Sequence, residues 1–267
     1  MAPARRPAGQ CPPLFPEEPQ LKYEALDLKI ENNCATLTMN RPDKLNAISK
    51  IMLEEFKHAF VALDEREDVK VITLRGAGRA FSAGADLDWS EEMTPKQRVE
   101  HNRIGQRMVA MMERMETPVF AAVHGYCLGG GLELALGADF IVASATARLG
   151  LPEITLSADP PYRPKITEDG DPDQPEYGAV VPGWGAPNRL PKRIGKAAAM
   201  EMMLTGSWVD AERAFKLGLV TDVYAEDEFD EKVTELGRRI GAMNFYNIRM
   251  IKELIVNGYD VLEGHPS

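Results

Sequence analysis

The chain has 267 residues, is 44% hydrophobic and carries a formal net charge of −10 at pH 7. That acidity argues against general nucleic-acid binding, though it leaves room for a local basic pocket, and no uninterrupted apolar stretch is long enough to cross a bilayer. Cys11, Cys34 and Cys127 are too few and too unpatterned for a disulfide framework. No metal-ligand cluster accompanies them, and a reducing compartment is the default.

Met1 to Gln20 holds six prolines among polar and acidic residues, the composition of a flexible arm over residues 1–20. Arg5 and Arg6 hint at targeting, but the segment lacks an apolar signal core, and Glu17 and Glu18 oppose a transit peptide. Beyond it, strands are expected from Leu26 to Ile30 and Ala35 to Met39, then a helix from Ser49 to Asp64 and a strand over Lys70 to Arg75. A helix from Lys96 to Met115 precedes a strand from Val119 to Val123, a short helix from Leu132 to Leu136 and a strand from Ala138 to Ala143. Farther on the chain reads as helical, at Lys196 to Leu204, Asp210 to Leu217, Glu226 to Ile240 and Tyr246 to Asn257. The closing Gly264-His265-Pro266-Ser267 is not a peroxisomal address, so cytoplasm or mitochondrial matrix is expected, without secretion. Periodicity alone gives an α/β fold class, with a core over residues 21–195 and a helical region over 196–267.

Chemistry concentrates at the turn Cys127-Leu128-Gly129-Gly130-Gly131-Leu132-Glu133, twenty residues ahead of Glu153 in Leu151-Pro152-Glu153. Glycines let backbone N–H groups approach a ligand closely, and donors aimed at a developing oxyanion dominate many reactions at carbonyl carbon. Two carboxylates beside such a turn could move protons. Taken alone, the glycines make a tight strand-to-helix turn, Glu133 favours a helix N-terminus, and Pro152-Glu153 is an ordinary helix start.

A second small-residue loop, Gly76 to Leu87, follows the strand ending at Arg75 and could present further backbone donors. It lacks the lysine of a P-loop and the spacing of a dinucleotide fingerprint, which excludes those nucleotide sites. Cys127 reads as a packed small residue without an assignable base, and His124 as a structural neighbour of the turn.

Four segments, in order and spacing, carry a resemblance to the enoyl-CoA hydratase/isomerase, or crotonase, family: Asn40 to Ala47, Phe81 to Leu87, His124 to Glu133 and Leu149 to Glu153. The resemblance runs from about Tyr23 to about Tyr259 and implies a crotonase-like spiral of repeated β-β-α units with a C-terminal helical region. It implies an oxyanion hole from the N–H groups of Ala85 and Gly130, with Glu133 and Glu153 flanking the substrate alkene. Lys44, Leu45, Ala47, Ala83, Asp86, Leu87 and Gly129 fall in the segments that would hold CoA and substrate.

Hydratases of this family keep both carboxylates, whereas many isomerases keep only the one matching Glu153. The pair therefore implies a hydro-lyase that adds water reversibly across the 2,3 double bond of a 2-enoyl-CoA. Isomerisation, thioester hydrolysis and non-catalytic acyl-CoA binding are the alternatives, since fold does not fix function. The resemblance implies no cofactor beyond the coenzyme A of the substrate, no metal, no membrane or nucleic-acid partner, and a homotrimer or dimer of trimers.

Two departures from the family pattern stand out. A polar, proline-rich insertion over residues 157–181 begins just after Glu153 and is expected to reshape the acyl pocket and restrict substrate size. Its Asp169, Asp171 and Asp173 resemble a calcium loop superficially, but Gly170 is misplaced and Val180 occupies the position of the bidentate glutamate. The chain also stops at Ser267, soon after the segment matching Lys252 to Glu263, which implies a reduced CoA clamp or trimer interface.

Overall fold

The computed structural model describes residues 22–86, 93–156 and 181–258. The expected arm, nearly all of the insertion with its aspartates, and Leu87 lie outside the described residues.

The first elements are the hairpin β1 (Leu26–Glu31) and β2 (Cys34–Met39), helix α1 (Lys50–Asp64) and strands β3 (Val71–Gly76) and β4 (Ala80–Ser82). Helix α2 (Pro95–Arg114) leads to β5 (Val119–Val123), β6 (Tyr126–Leu128), helix α3 (Gly130–Leu136), β7 (Phe140–Ser144), β8 (Arg148–Gly150) and helix α4 (Glu153–Leu156). Then come helices α5 (Ala186–Ile194) and α6 (Lys196–Thr205), strand β9 (Trp208–Asp210), helix α7 (Ala211–Lys216), strand β10 (Asp222–Tyr224) and helices α8 (Phe229–Gly241) and α9 (Phe245–Asn257).

One sheet runs in the order β1-β2-β3-β5-β7-β10 and a smaller one in the order β4-β6-β8-β9. The β1–β2 pair is antiparallel, turned by Asn32 and Asn33 at φ 51 and 61, a conformation asparagine tolerates better than most residues. The pairings from β2 through β3, β5 and β7 to β10 are parallel. Such central strands are covered on both faces, so they read as apolar runs; all five residues of Val119–Val123 are buried.

The chain repeats one move three times, laying a strand in the large sheet and the next in the small one: β3 then β4, β5 then β6, β7 then β8. This is the expected β-β-α spiral, and the helices expected at the C-terminus are present. On one face of the large sheet, α1 buries Met52, Leu53, Phe56, Ala59, Phe60 and Leu63, spaced as an amphipathic stripe. On the other, Phe229 and Val233 of α8 pack with Val71, Phe120, Ala122 and Val142. Gly237 permits that approach, because a Cβ there would stand 2.8 Å from the Cys34 sulfur.

The elements differ from expectation in instructive places. β4, β6, β8, β9 and β10 are three residues each, too short to display a period of two. The strand expected from Ala138 begins at Phe140, because the Asp139 carboxylate turns back to accept the Val119 N–H at 2.7 Å. Asp210, expected as the first residue of a helix, is its cap and accepts the Arg213 N–H at 2.8 Å. Helix α5 was not anticipated: Pro187 lies in its first turn, where a missing N–H is harmless, while Pro191 lies inside it.

Candidate active site

The three short parallel strands explain why distant motifs meet. β4 pairs with β6 and β6 with β8, Leu128 standing opposite Gly150. Their C-terminal ends therefore lie side by side, and each runs into one motif: Ala83 to Asp86 after β4, Gly129 to Glu133 after β6, and Glu153 after β8.

At the centre, Ala85 and Gly130 come together. A Cβ built on Gly130 would lie 3.2 Å from the Ala85 nitrogen, and one on Gly84 would lie 3.3 Å from the Gly130 nitrogen. Gly84 and Gly129 adopt φ of 110 and 52, backbone that an L side chain rarely takes. Gly131 has no room for a side chain either, since a Cβ would stand 2.7 Å from the Ser82 carbonyl oxygen. The glycine run is thus required by close approach of two loops as well as by the turn.

Glu133 and Glu153 are 2% and 7% exposed, inside the molecule where carboxylates are seldom found. Glu133 Oε1 accepts the N–H groups of Trp184 at 2.8 Å and Ala186 at 2.9 Å. Burial raises the Glu133 pKa, and the amides of the 183–186 segment oppose that rise by favouring the ionised form. Glu153 is pushed up to about 7, mainly by burial and further by the nearby charge of Glu133. Its Oε2 is buried without a hydrogen-bond partner among the described residues, while its Oε1 would lie 3.4 Å from a Cβ on Gly129. Buried carboxylates with raised pKa beside two closely approaching glycine-rich turns are the pattern of an acid/base site.

The loop from Arg41 to Ile48 braces this centre. Lys44 closes a 3-10 turn and is exposed, Leu45 sits at φ 51, and the Leu45 carbonyl accepts the Ala83 N–H at 2.9 Å. Asn46 is fully buried: its amide donates to the carbonyls of Ala77 and Ala80, both at 2.8 Å, and its Oδ1 accepts the Arg41 N–H at 2.9 Å. Arg41 reaches the Ala47 carbonyl and pairs with Asp86 Oδ2 at 2.7 Å. Lys44, Leu45, Ala47, Ala83 and Asp86 are therefore joined to one frame with Ala85 and Gly129.

Sequence reasoning missed Asn46 as the hub, Arg41 as the partner of Asp86, and the Trp184 and Ala186 amides that hold Glu133. The glycines flanking Trp184 were the available signal, marking a second turn able to present backbone donors. Cys127 is fully buried and its thiol pKa is raised by burial, as expected of a packed residue. His124 Nε2 lies 2.9 Å from the Gly78 carbonyl, a structural contact.

The profile of the enoyl-CoA hydratase/isomerase family matches residues 29–163 and 173–264. A crotonyl-CoA hydratase of Syntrophomonas wolfei is 32% identical over 87% of this chain and 81% of its own length. A probable enoyl-CoA hydratase of Rhizobium meliloti is 35% identical over 88% of this chain and 82% of its own. Among solved structures, the enoyl-CoA hydratase of Bacillus anthracis superposes with a TM-score of 0.78 at 31% identity, covering 90% of this chain and 86% of that one. The chain belongs to the enoyl-CoA hydratase/isomerase family.

Proposed function

We propose that the protein is an enoyl-CoA hydratase, adding water reversibly across the 2,3 double bond of a 2-enoyl-CoA. The observation that carries this reading is the buried pair Glu133 and Glu153, beside the point where the Ala85 and Gly130 backbones, each with its N–H, meet. The thioester carbonyl would accept those two N–H groups, which stabilise the enolate-like state as water oxygen bonds to Cβ. Glu133, whose ionised form its amide donors favour against the effect of burial, accepts a proton from the attacking water. Glu153, with a pKa near neutrality, supplies the proton to Cα as the enolate collapses. One water is consumed, one C–O and one C–H bond form, and no redox change occurs.

In this reading Lys44, Leu45, Ala47, Ala83, Asp86, Leu87 and Gly129 belong to the CoA and substrate segments, and coenzyme A arrives with the substrate as the sole cofactor chemistry. A homotrimer or dimer of trimers is the accompanying assembly, checked by sedimentation velocity. The reaction itself is tested by loss of enoyl absorbance with crotonyl-CoA, the product being identified by mass. Glu133→Gln and Glu153→Gln should each slow hydration by about a hundredfold or more. Turnover unchanged in either variant, or a product without added water, would sink the two-carboxylate mechanism.

A further inference from the structure

Trp184 has a role in the site beyond its amide. The residue is 2% exposed, and its indole packs against two glycines on different elements. On α2, a Cβ at Gly105 would overlap the five-membered ring of the indole. On the turn before α3, a Cβ at Gly130 would lie 3.1 Å from indole Cζ3 and 3.2 Å from the Ala85 nitrogen. One methyl-sized position at Gly130 thus lies within contact distance of both the indole edge and a candidate oxyanion donor.

The segment that carries the ring is anchored to α2 and to Glu133. The Trp184 backbone N–H is committed to Glu133 Oε1, and the Trp184 carbonyl accepts from Arg189 at 3.1 Å. Arg189 is itself clamped by both carboxylate oxygens of Glu113 on α2, at 2.7 and 2.5 Å. Gln106 of α2 donates to the neighbouring Gly183 carbonyl at 2.7 Å, and the His101 ring stands 5.5 Å from the indole. Swinging the indole aside would require α2 to move away from the turn.

We infer that the Trp184 indole is a rigid end wall of the acyl site, which restricts the enzyme to short 2-enoyl groups. This rests on the hydratase reading for the identity of the ester. The physical reason is that a chain longer than the space before the indole must displace a ring that has nowhere to go. Single methylenes in a shaped apolar pocket already change discrimination by roughly tenfold to two-hundredfold.

The test compares the native chain with Trp184→Phe and Trp184→Ala, both of which keep the backbone amide that holds Glu133. Hydration of crotonyl-CoA and 2-decenoyl-CoA is measured, together with calorimetric binding of the saturated esters butyryl-CoA and decanoyl-CoA and a thermal melt of each variant. The native chain should favour the four-carbon over the ten-carbon ester by at least about tenfold. That ratio should fall in Trp184→Phe and fall further, by about tenfold or more, in Trp184→Ala.

A folded variant that keeps the native length preference makes Trp184 a core residue only and overturns the inference, as does a native chain indifferent to length. Should Trp184→Ala not fold, Trp184→Phe decides. Length-selective binding of the saturated esters without hydration would leave the wall standing and remove the hydratase reading. Binding of neither ester would remove both.

Discussion

At the scale of single residues, the two glutamates are distinguished by environment. Glu133 has backbone donors on Oε1, whereas Glu153 has a buried oxygen that lacks a hydrogen-bond partner among the described residues. Such an oxygen destabilises the ionised form, and the Glu153 pKa rises to about 7. With Glu153 as the proton donor, kcat/KM for hydration should fall as pH rises through about 7, the free-enzyme value. The same shift sets a stability trend. A carboxyl whose folded pKa exceeds its unfolded value of 4.5 favours the folded state fully below pH 4.5 and loses that contribution as pH climbs to about 7. At about 1.4 kcal/mol per pKa unit the loss is a few kcal/mol. Glu153→Gln should therefore flatten the denaturation midpoint between pH 4.5 and about 7. A variant as pH-dependent as the native chain would assign the trend elsewhere.

At the scale of elements, the site is three strand ends plus two bracing loops, and Asn46 is where the loops join. Its side chain satisfies the Ala77 and Ala80 carbonyls and the Arg41 N–H, while the Ser82 hydroxyl donates to the Asn46 carbonyl at 2.8 Å. Replacing it by alanine takes this partner from the buried Ala80 carbonyl, at a cost of about 1–3 kcal/mol, and from the part-buried Ala77 carbonyl and Arg41 N–H at a smaller one. It also replaces a residue at φ 54, which asparagine tolerates better than alanine. Asn46→Ala should lower the melting temperature and, by loosening the Ala83 to Asp86 loop, reduce kcat as well. Unchanged kcat in a folded Asn46→Ala protein would show that this loop is held by its other bonds. The motif containing Asn46 was visible in the sequence, but its hub function was not. Its partners lie 31 and 34 residues away, and no local pattern encodes which carbonyls will be buried beside an amide.

At the scale of the whole molecule, the last helix is tied to the core by a buried cation. Lys252 of α9 is 6% exposed, pairs with Asp139 at 3.0 Å and donates to the carbonyls of Met112 and Thr117. Breaking a buried pair by removing one partner costs about 3–5 kcal/mol, and the partial exposure of Asp139 places Lys252→Ala at the low end. The denaturation midpoint in urea should fall accordingly, and a midpoint equal to the native one would assign the docking of α9 to its apolar contacts. Among the described residues, no helix is long and apolar enough to cross a membrane.

The sequence by itself determined what is local and repeated. The apolar runs and stripes specified the central strands and long helices, the four motifs identified the family, and the glycines marked the turns. Through the family resemblance it also implies Ala85, Gly130, Glu133 and Glu153 as the site residues. Only the tertiary structure decided what depends on non-local contact. Three-residue strands exist because neighbours pair with them, and the motifs meet because those strands pair in parallel and end side by side. The two glutamates acquired different environments from segments far along the chain, as did Trp184 from Gly105 and Gly130. Burial and pairing are properties of the folded surroundings, so no reading of one segment could have supplied them.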